Sequence, residues 1–204
     1  MTRRSVAVVS AGLGQPSSTR LLADQLAAAV RAELRRLGTE AETPAVELRE
    51  HAHDVTNHVL SGFPPANLKP VIETVTGADG LIAVTPIFNA SYSGLFKSFF
   101  DVLPEDALAG RPVLIGATGG TARHSLALEH ALRPMFVYLR GVVVPTAVFA
   151  ATEDWAGGTA DGALRGRIER AGRELAEEVA RRPPATPADP FALTTSFEQL
   201  LNGE

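Results

Sequence analysis

Four short stretches of the chain are continuously apolar and rich in β-branched residues. They are residues 5–10, 80–85, 111–116 and 141–149. A strand with one solvent-exposed face alternates apolar and polar residues, whereas a strand covered on both faces is apolar throughout. The four runs therefore predict interior strands of a parallel sheet, and a weaker run at residues 43–48 predicts a fifth strand at an edge.

Between these runs the apolar positions follow the period of a helix. In residues 18–37 a leucine or valine recurs at every fourth position, and Gly38 marks the end of the pattern. Residues 160–182 show the same spacing, which stops before Pro183. Helices that alternate with strands across short loops predict an α/β fold, with a doubly wound, five-stranded parallel sheet between two helical layers.

The chain shows no internal repeat and no linker that would divide it. We therefore predict a single domain at residues 1–182 and a C-terminal tail at residues 183–204. The tail is rich in proline and then apolar. We expect it to dock on its own subunit or on a neighbouring one.

Two segments carry more apolar residues than one face of a sheet requires. They are residues 95–103 and residues 126–139. A helix that is apolar on every side is covered on every side, and in a three-layered domain the outer side can be covered only by another chain. These segments therefore predict self-association, as a homodimer or homotetramer.

Composition then narrows the functional classes. Of 204 residues, 45% are hydrophobic and 21% are charged, and no apolar run approaches the ~18 residues of a membrane-spanning helix, which predicts a cytoplasmic protein. The lack of cysteine excludes a disulfide framework, a thiolate nucleophile and a Cys-ligated metal centre. A formal charge of −4 leaves no basic footprint for nucleic acid or for an anionic membrane.

The loop after the first strand combines glycines with hydroxyl side chains at the start of a helix. Ser17, Ser18 and Thr19 follow a glycine-rich turn, and backbone N–H groups at a helix N-terminus form an anion site that suits a phosphate. A simple N-cap role for Ser17 or Ser18 is the alternative. The loop lacks the lysine of a P-loop. A dinucleotide fingerprint would need glycine where Ser17 stands, and Glu47 is a late candidate for its acidic residue.

Two further loops follow the next core strands. Residues 85–101 place a rigid proline and two large apolar side chains ahead of small polar residues, which provides a wall for a flat ring. Residues 116–121 expose backbone amides in a glycine-rich turn. Ligands of open α/β sheets bind at the carboxyl ends of the strands. Together the three loops therefore predict a planar, phosphate-bearing cofactor.

These three segments, in this order and spacing, resemble the NADPH-dependent FMN reductase family of flavodoxin-like proteins. The resemblance runs from Ser5 to about Phe149 and is greatest to reductases that feed reduced flavin to two-component, luciferase-like monooxygenases. It implies a flavodoxin-like fold, FMN and NAD(P)H as cofactors, and a monooxygenase as a partner. It also implies hydride transfer to flavin N5 without a catalytic side chain, since the flavin carries the chemistry.

The resemblance also implies which residues contact FMN. The expected phosphate contacts are Ser10, Gly12, Ser17, Ser18 and Thr19. The expected contacts along the isoalloxazine ring are Pro86, Ile87, Phe88 and Asn89, with Ser93 nearby and with Thr118, Gly119 and Gly120 on the other side. We expect the backbone N–H near Asn89 to approach flavin N5. The sequence departs from many relatives at Ile87 and Phe88, and at Arg123, whose expected contact is the nicotinamide nucleotide or a partner.

Other functions remain open at this stage. One is a reductase that keeps FMN bound and reduces a quinone, an azo dye or a metal oxyanion, and another is a flavodoxin-like electron carrier. The chain contains neither the Gly-x-Ser-x-Gly motif of hydrolases nor the His-Glu-x-x-His motif of metallopeptidases. The group formed by His51, His53, Asp54 and His58 is interpreted as a polar helix surface rather than a metal site, and His124 as a packing residue or one that faces the flavin.

Overall fold

The structure is a computed structural model that describes residues 2–155 and 162–185. Its longer elements are listed here in chain order. They are β1 (Thr2–Ser10), α1 (Ser18–Arg36), β2 (Thr39–Glu42), β3 (Ala45–Glu47), α2 (Ala52–Ser61), α3 (Lys69–Thr76), β4 (Gly80–Phe88), β5 (Ser91–Tyr92), α4 (Gly94–Asp101), β6 (Pro112–Gly119), α5 (Arg133–Tyr138), β7 (Val142–Val143), β8 (Val148–Ala151) and α6 (Gly162–Arg181).

A parallel sheet forms the centre of the fold. Its strand order is β2-β1-β4-β6-β7; β3 also pairs with β1, and β8 also pairs with β6. The sheet thus has five positions, which follow the doubly wound order of flavodoxin-like folds. Among the described strands only β5 is antiparallel, because it returns along the end of β4 as a short hairpin. The predicted fold class, including the parallel core strands, is confirmed.

Both outer positions of the sheet are divided, which the sequence did not predict. The edge strand expected at residues 43–48 is found as β3, whereas β2 precedes the predicted range and was missed. The N–H of Val8 donates to the carbonyl oxygen of Pro44 between these two strands, at 2.9 Å. The single strand predicted at residues 141–149 was wrong, because β7 and β8 are separate. Pro145 lies between these two strands and has no N–H to donate to the ladder.

Helices cover both faces of the sheet. The core on one face is formed by α1 and α6 and includes Val8, whereas the core on the other face is formed by α2 to α5 and includes Val9. Helices α1 and α6 cross closely at Gly172, where an added Cβ would lie 2.7 Å from the Cβ of Ala29. This arrangement confirms the three predicted layers.

Most of the apolar mass of residues 95–103 is buried within the subunit. Phe96, Phe99 and Phe100 of α4 are at most 2% exposed, and the ring of Phe100 meets that of Phe136 edge-on at 4.9 Å between centroids. This first segment therefore does not require a second chain to cover it. The second segment differs, because it leaves large apolar side chains exposed. They are Leu126, Val137 and Tyr138.

A buried ion pair fixes the amino-terminal edge of the sheet. Arg4 and Asp79 lie 3.2 Å apart, and their side chains are 6% and 10% exposed. The carboxylate of Asp79 also accepts from the backbone N–H groups of Ser5 and Ala185, which ties β1, β4 and the chain after α6 together. Of the predicted tail, residues 186–204 lie outside the described residues. None of the described helices is long and apolar enough to span a membrane.

Candidate flavin site

The three predicted loops meet at the carboxyl edge of the sheet. Strands β1, β4 and β6 are parallel neighbours, with Ser10 paired to Val84 and Pro86 paired to Thr118. The loops that follow them therefore leave the sheet side by side. A hydrogen bond of 2.8 Å joins the buried hydroxyls of Thr19 and Thr118, and so connects the first loop to the third.

The first loop folds tightly over the start of α1. The Ser17 hydroxyl accepts a hydrogen bond from the N–H of Arg20 at 3.2 Å, so the N-cap alternative is correct for this residue. A Cβ at Gly12 would lie 2.0 Å from the Ser17 Oγ and 3.0 Å from the Thr19 Cβ, so a larger residue would displace the capping Ser17 side chain. Ser10 is buried beneath the loop. Ser18 is exposed at the first position of α1, beside the N–H groups of its first turn.

Ion pairs anchor this loop to the neighbouring strand. Glu47 at the end of β3 accepts from Arg20 at 2.6 Å and from Arg49 at 3.1 Å. The side-chain oxygen of Gln15, in the amide orientation that satisfies both groups, accepts from Arg49. The pKa of Arg20 is raised, chiefly by its hydrogen bond to Asp24. Both oxygens of Glu47 thus accept from arginines, and the carboxylate links the first loop to the residues that follow β3.

The second loop is a β-hairpin rather than an irregular turn. Ile87 pairs with Tyr92 and Phe88 with Ser91, so Asn89 and Ala90 form a two-residue connection. Their φ angles of 48° and 69° are those of a type I′ turn, which matches the twist of hairpin strands. Pro86 and Ile87 are half-buried along the strand. Phe88 is 47% exposed at the tip and offers an apolar surface.

The hydroxyls at the base of this hairpin are occupied. The N–H of Ser93 donates to the Thr85 hydroxyl at 3.1 Å, and that hydroxyl donates to the carbonyl oxygen of Pro86 at 2.9 Å. The Ser93 hydroxyl accepts from the N–H of Phe96 at 3.2 Å and caps α4. Ser93 is 2% exposed. It therefore holds the hairpin and the following helix in place, and its predicted position near the flavin stays a prediction.

The third loop brings backbone close to the other two. A Cβ at Gly119 would lie 2.9 Å from the ring of Phe149, so glycine is needed for packing there. A Cβ at Gly120 would meet nothing within 4 Å, so this backbone faces open space and a ligand can approach it. Arg123 and His124 follow in an exposed turn.

A cavity of about 510 Å³ opens between the first loop, the third loop and the end of β8. The residues that line it are Pro16, Ser17, Ser18, Leu21, Gly119, Ala150, Thr152 and Trp155. None of these lining residues is acidic, and the hydroxyls and the start of α1 offer hydrogen-bond donors to an anion. The chemistry of this donor set fits a phosphate group.

The sequence and structural comparisons decide the family. The sequence profile of the NADPH-dependent FMN reductases matches residues 4–156. The chain belongs to this family. It is 35% identical over 150 residues to an NADPH-using FMN reductase of Pseudomonas aeruginosa, covering 74% of this chain and 78% of that one. It is also 34% identical over 155 residues to an NADH-dependent FMN reductase of Pseudomonas putida, covering 76% of this chain and 81% of that one.

A solved structure of an oxidoreductase from Corynebacterium diphtheriae extends the likeness to three dimensions. The two folds superpose with a TM-score of 0.85 and 45% sequence identity, over 90% of this reductase and 100% of that chain. The predicted family, enzyme class and cofactors, FMN with NAD(P)H, are confirmed. The individual FMN contacts stay predictions.

Part of the cavity of this reductase was not predicted. Ala150 lies in β8, and Thr152 and Trp155 follow that strand. Their approach to the first loop depends on the pairing of β8 with β6. The available signal was the position of these residues after the last apolar run, together with the only tryptophan of the chain. Across residues 2–155 and 162–185 there is no group of three or more His, Asp or Glu side chains that could hold a metal ion.

Proposed function

We propose that this reductase binds FMN across the three loops and supplies the reduced flavin to a monooxygenase. The observation that carries the proposal is the meeting of a cavity with donors for a phosphate, an apolar hairpin and an open glycine backbone at one edge of the sheet. FMN, once bound, supplies the centre that accepts hydride from NAD(P)H. The chain itself binds and orients the two nucleotides.

Each loop has one task in this proposal. The first turn of α1 and the Ser18 hydroxyl bind the FMN phosphate, whose negative charge is favoured at a helix N-terminus. Ile87 and Phe88 form the apolar wall along the isoalloxazine ring. The open backbone at Gly120 allows the ring edge to approach. Bound FMN would itself supply the hydride-accepting chemistry, so the chain would need no side chain as an acid or a nucleophile.

The type I′ turn gives Asn89 a specific role. Its φ angle of 48° lies in the left-handed region, which few residues other than glycine adopt. We assign its N–H to flavin N5. Proline fixes φ near −65° and has no N–H, so Asn89→Pro removes both features. We expect a sharp loss of flavin affinity or reductase rate. Asn89→Gly, which keeps the N–H and adopts positive φ readily, is the matched control.

We include self-association in the proposal. Val137 and Tyr138 of α5 are 58% and 87% exposed, and Leu126 near the third loop is 63% exposed. Large apolar side chains that a single chain leaves exposed favour a homodimer or homotetramer. Sedimentation velocity should show an oligomer that Val137→Glu with Tyr138→Glu dissociates, whereas a monomeric wild type would contradict this part. The cytoplasmic location rests on the sequence and stays a prediction.

One set of assays tests the function. The purified protein is mixed with NADH or NADPH, with and without FMN, FAD or a quinone, and nucleotide oxidation is followed by absorbance. We expect oxidation to require added FMN, and a coupled flavin-dependent monooxygenase to turn over only when the reductase is present. Quinone-dependent turnover by a protein that retains bound flavin would replace the proposal by a quinone reductase. Failure to oxidise either nucleotide would leave an electron carrier.

A further inference from the structure

Arg123 lies in the short helical turn Ala122–His124, directly after the third loop. The turn packs against that loop, because the Cβ of His124 is 3.8 Å from the point that a Cβ of Gly119 would occupy. Gly119 lines the cavity, and the next residue, Gly120, faces open space. The backbone of Arg123 therefore lies beside the cavity wall, and its side chain is exposed there.

The guanidinium of Arg123 differs from other arginines at this edge of the sheet in having no partner. Within residues 2–155 and 162–185, no carboxylate or carbonyl oxygen accepts a hydrogen bond from it. By contrast, Arg20 and Arg49 beside the first loop both donate to Glu47. An exposed guanidinium without a carboxylate partner keeps its charge and its N–H donors available to a ligand.

The charges near Arg123 in the chain favour an anionic ligand. Residues 116–128, which include the third loop and this turn, contain no acidic side chain. The first acidic residue that follows is Glu129, which accepts from Arg133 at 2.6 Å. The segment therefore offers a positive charge next to the cavity and no carboxylate of its own to neutralise it.

The two nicotinamide nucleotides differ in one group, the 2′-phosphate that only NADPH carries. In dinucleotide-binding folds an acidic side chain binds the 2′-hydroxyl of NAD, whereas an arginine accommodates the 2′-phosphate of NADP. A phosphate dianion also accepts two parallel hydrogen bonds from one guanidinium. A free arginine in a segment without carboxylates therefore has the chemistry of an NADP site.

We propose that Arg123 binds the 2′-phosphate of NADPH and makes this reductase prefer NADPH to NADH. The inference rests on the proposed function, because it concerns the nucleotide that delivers hydride at the same site. The place of Arg123 near Gly120, where the ring edge of FMN approaches in that proposal, suits a nucleotide that reaches over the flavin. Because the 2′-phosphate lies at the far end of NADPH from the nicotinamide, the contact strengthens binding and leaves hydride transfer unchanged.

The first test compares the two nucleotides on one charge variant. Arg123→Gln removes the charge and keeps a polar side chain, and kcat/KM is measured for NADPH and for NADH with saturating FMN. We expect the value for NADPH to fall about tenfold, chiefly through KM, which is the effect of one hydrogen bond to a charged group. The value for NADH should change less than about twofold. An equal loss with both nucleotides, or no loss with either, would overturn the inference.

Arg35 provides the matched control for the change in net charge. It is also exposed and forms no ion pair within the described residues, but it lies in the last turn of α1. At 1.5 Å per residue it is about 25 Å from the start of that helix at the first loop. Arg35→Gln should leave both kcat/KM values within about twofold of the wild type. A loss of preference for NADPH in this control as well would overturn the inference.

A binding measurement gives a readout that does not depend on turnover. The nucleotide 2′,5′-ADP carries the 2′-phosphate and 5′-AMP lacks it, and calorimetric titration in the presence of FMN gives the Kd of each. We expect the wild type to bind 2′,5′-ADP about tenfold more tightly, and Arg123→Gln to abolish the difference. Equal affinities in the wild type, or a difference that survives in the variant, would overturn the inference. A wild type that oxidises neither NADH nor NADPH with FMN would instead refute the proposed function.

Discussion

Ala90 at the tip of the hairpin formed by β4 and β5 offers a quantitative test of the backbone geometry. It holds φ at 69°, a left-handed conformation that costs an L-residue such as alanine about 1–2 kcal/mol and that glycine adopts readily. Ala90→Gly removes this strain. Glycine also gives the unfolded chain more conformational freedom. This offsets about 0.4–1 kcal/mol of the stabilisation gained by removing the strain. We therefore expect the substitution to stabilise the protein by about 0.5–1 kcal/mol.

Urea unfolding measures this effect. Followed by Trp155 fluorescence and by circular dichroism, the transition has a slope of about 2 kcal/mol per molar urea for a domain of this kind. The expected gain therefore raises the midpoint by about 0.25–0.5 M at an unchanged slope. An unchanged slope matters, because it shows that the substitution altered stability rather than the compactness of either state.

Gly110 provides a matched control with the same φ of 69°. A Cβ at Gly110 would meet nothing within 4 Å, so Gly110→Ala introduces the backbone strain without a steric clash. Its hydrogen bonds with Arg140 and Arg182 use backbone atoms of Gly110 and are kept. The control should lower the midpoint by a similar amount. A lower midpoint for Ala90→Gly, or a shift of the same sign in both variants, would refute the reasoning.

Three further substitutions test the packing around the site. Asp79→Asn leaves Arg4 buried without its charge partner and should lower the free energy of unfolding by about 3–5 kcal/mol, measured by urea unfolding. Thr118→Val removes the hydrogen bond to Thr19, so we expect a loss of about 1 kcal/mol and weaker FMN binding by fluorescence titration. Gly172→Ala places a Cβ 2.7 Å from an alanine of α1 and should lower stability by about 1–3 kcal/mol; an unchanged melting temperature would contradict the close helix crossing.

The central strands could be predicted because each residue on them meets apolar neighbours. Val8 packs under α1 and α6 while Val9 packs under the opposite helices, so residues 6–9 include no polar position. The same reasoning failed at residues 141–149. Pro145 keeps the run apolar but cannot donate to a strand ladder, and the neighbouring Thr146 donates its N–H to Glu174 of α6 instead. That side-chain partner is distant in sequence and left no local signal.

In the candidate site, too, the features that depend on residues near each other in sequence could be predicted. The features that depend on distant strand pairing could not. The tight turn after β1 could be predicted because Gly12 and Ser17, which shape it, lie close together in the sequence. The hairpin was missed because type I′ turns are usually marked by Asn-Gly, and Ala90 removes the glycine from that signal. Trp155 was missed because its place beside Ser18 depends on the pairing of strands far apart in the chain.

The central claim is that the three loops bind FMN for reduction by NAD(P)H, and one anaerobic measurement tests it most directly. The reductase is mixed with excess NADH or NADPH and FMN, and the visible absorption of oxidised flavin is followed. The account predicts that this absorption disappears at a rate proportional to enzyme concentration, with one nucleotide oxidised per FMN. Nucleotide oxidation that leaves FMN oxidised, or bleaching that is no faster than without enzyme, would contradict it.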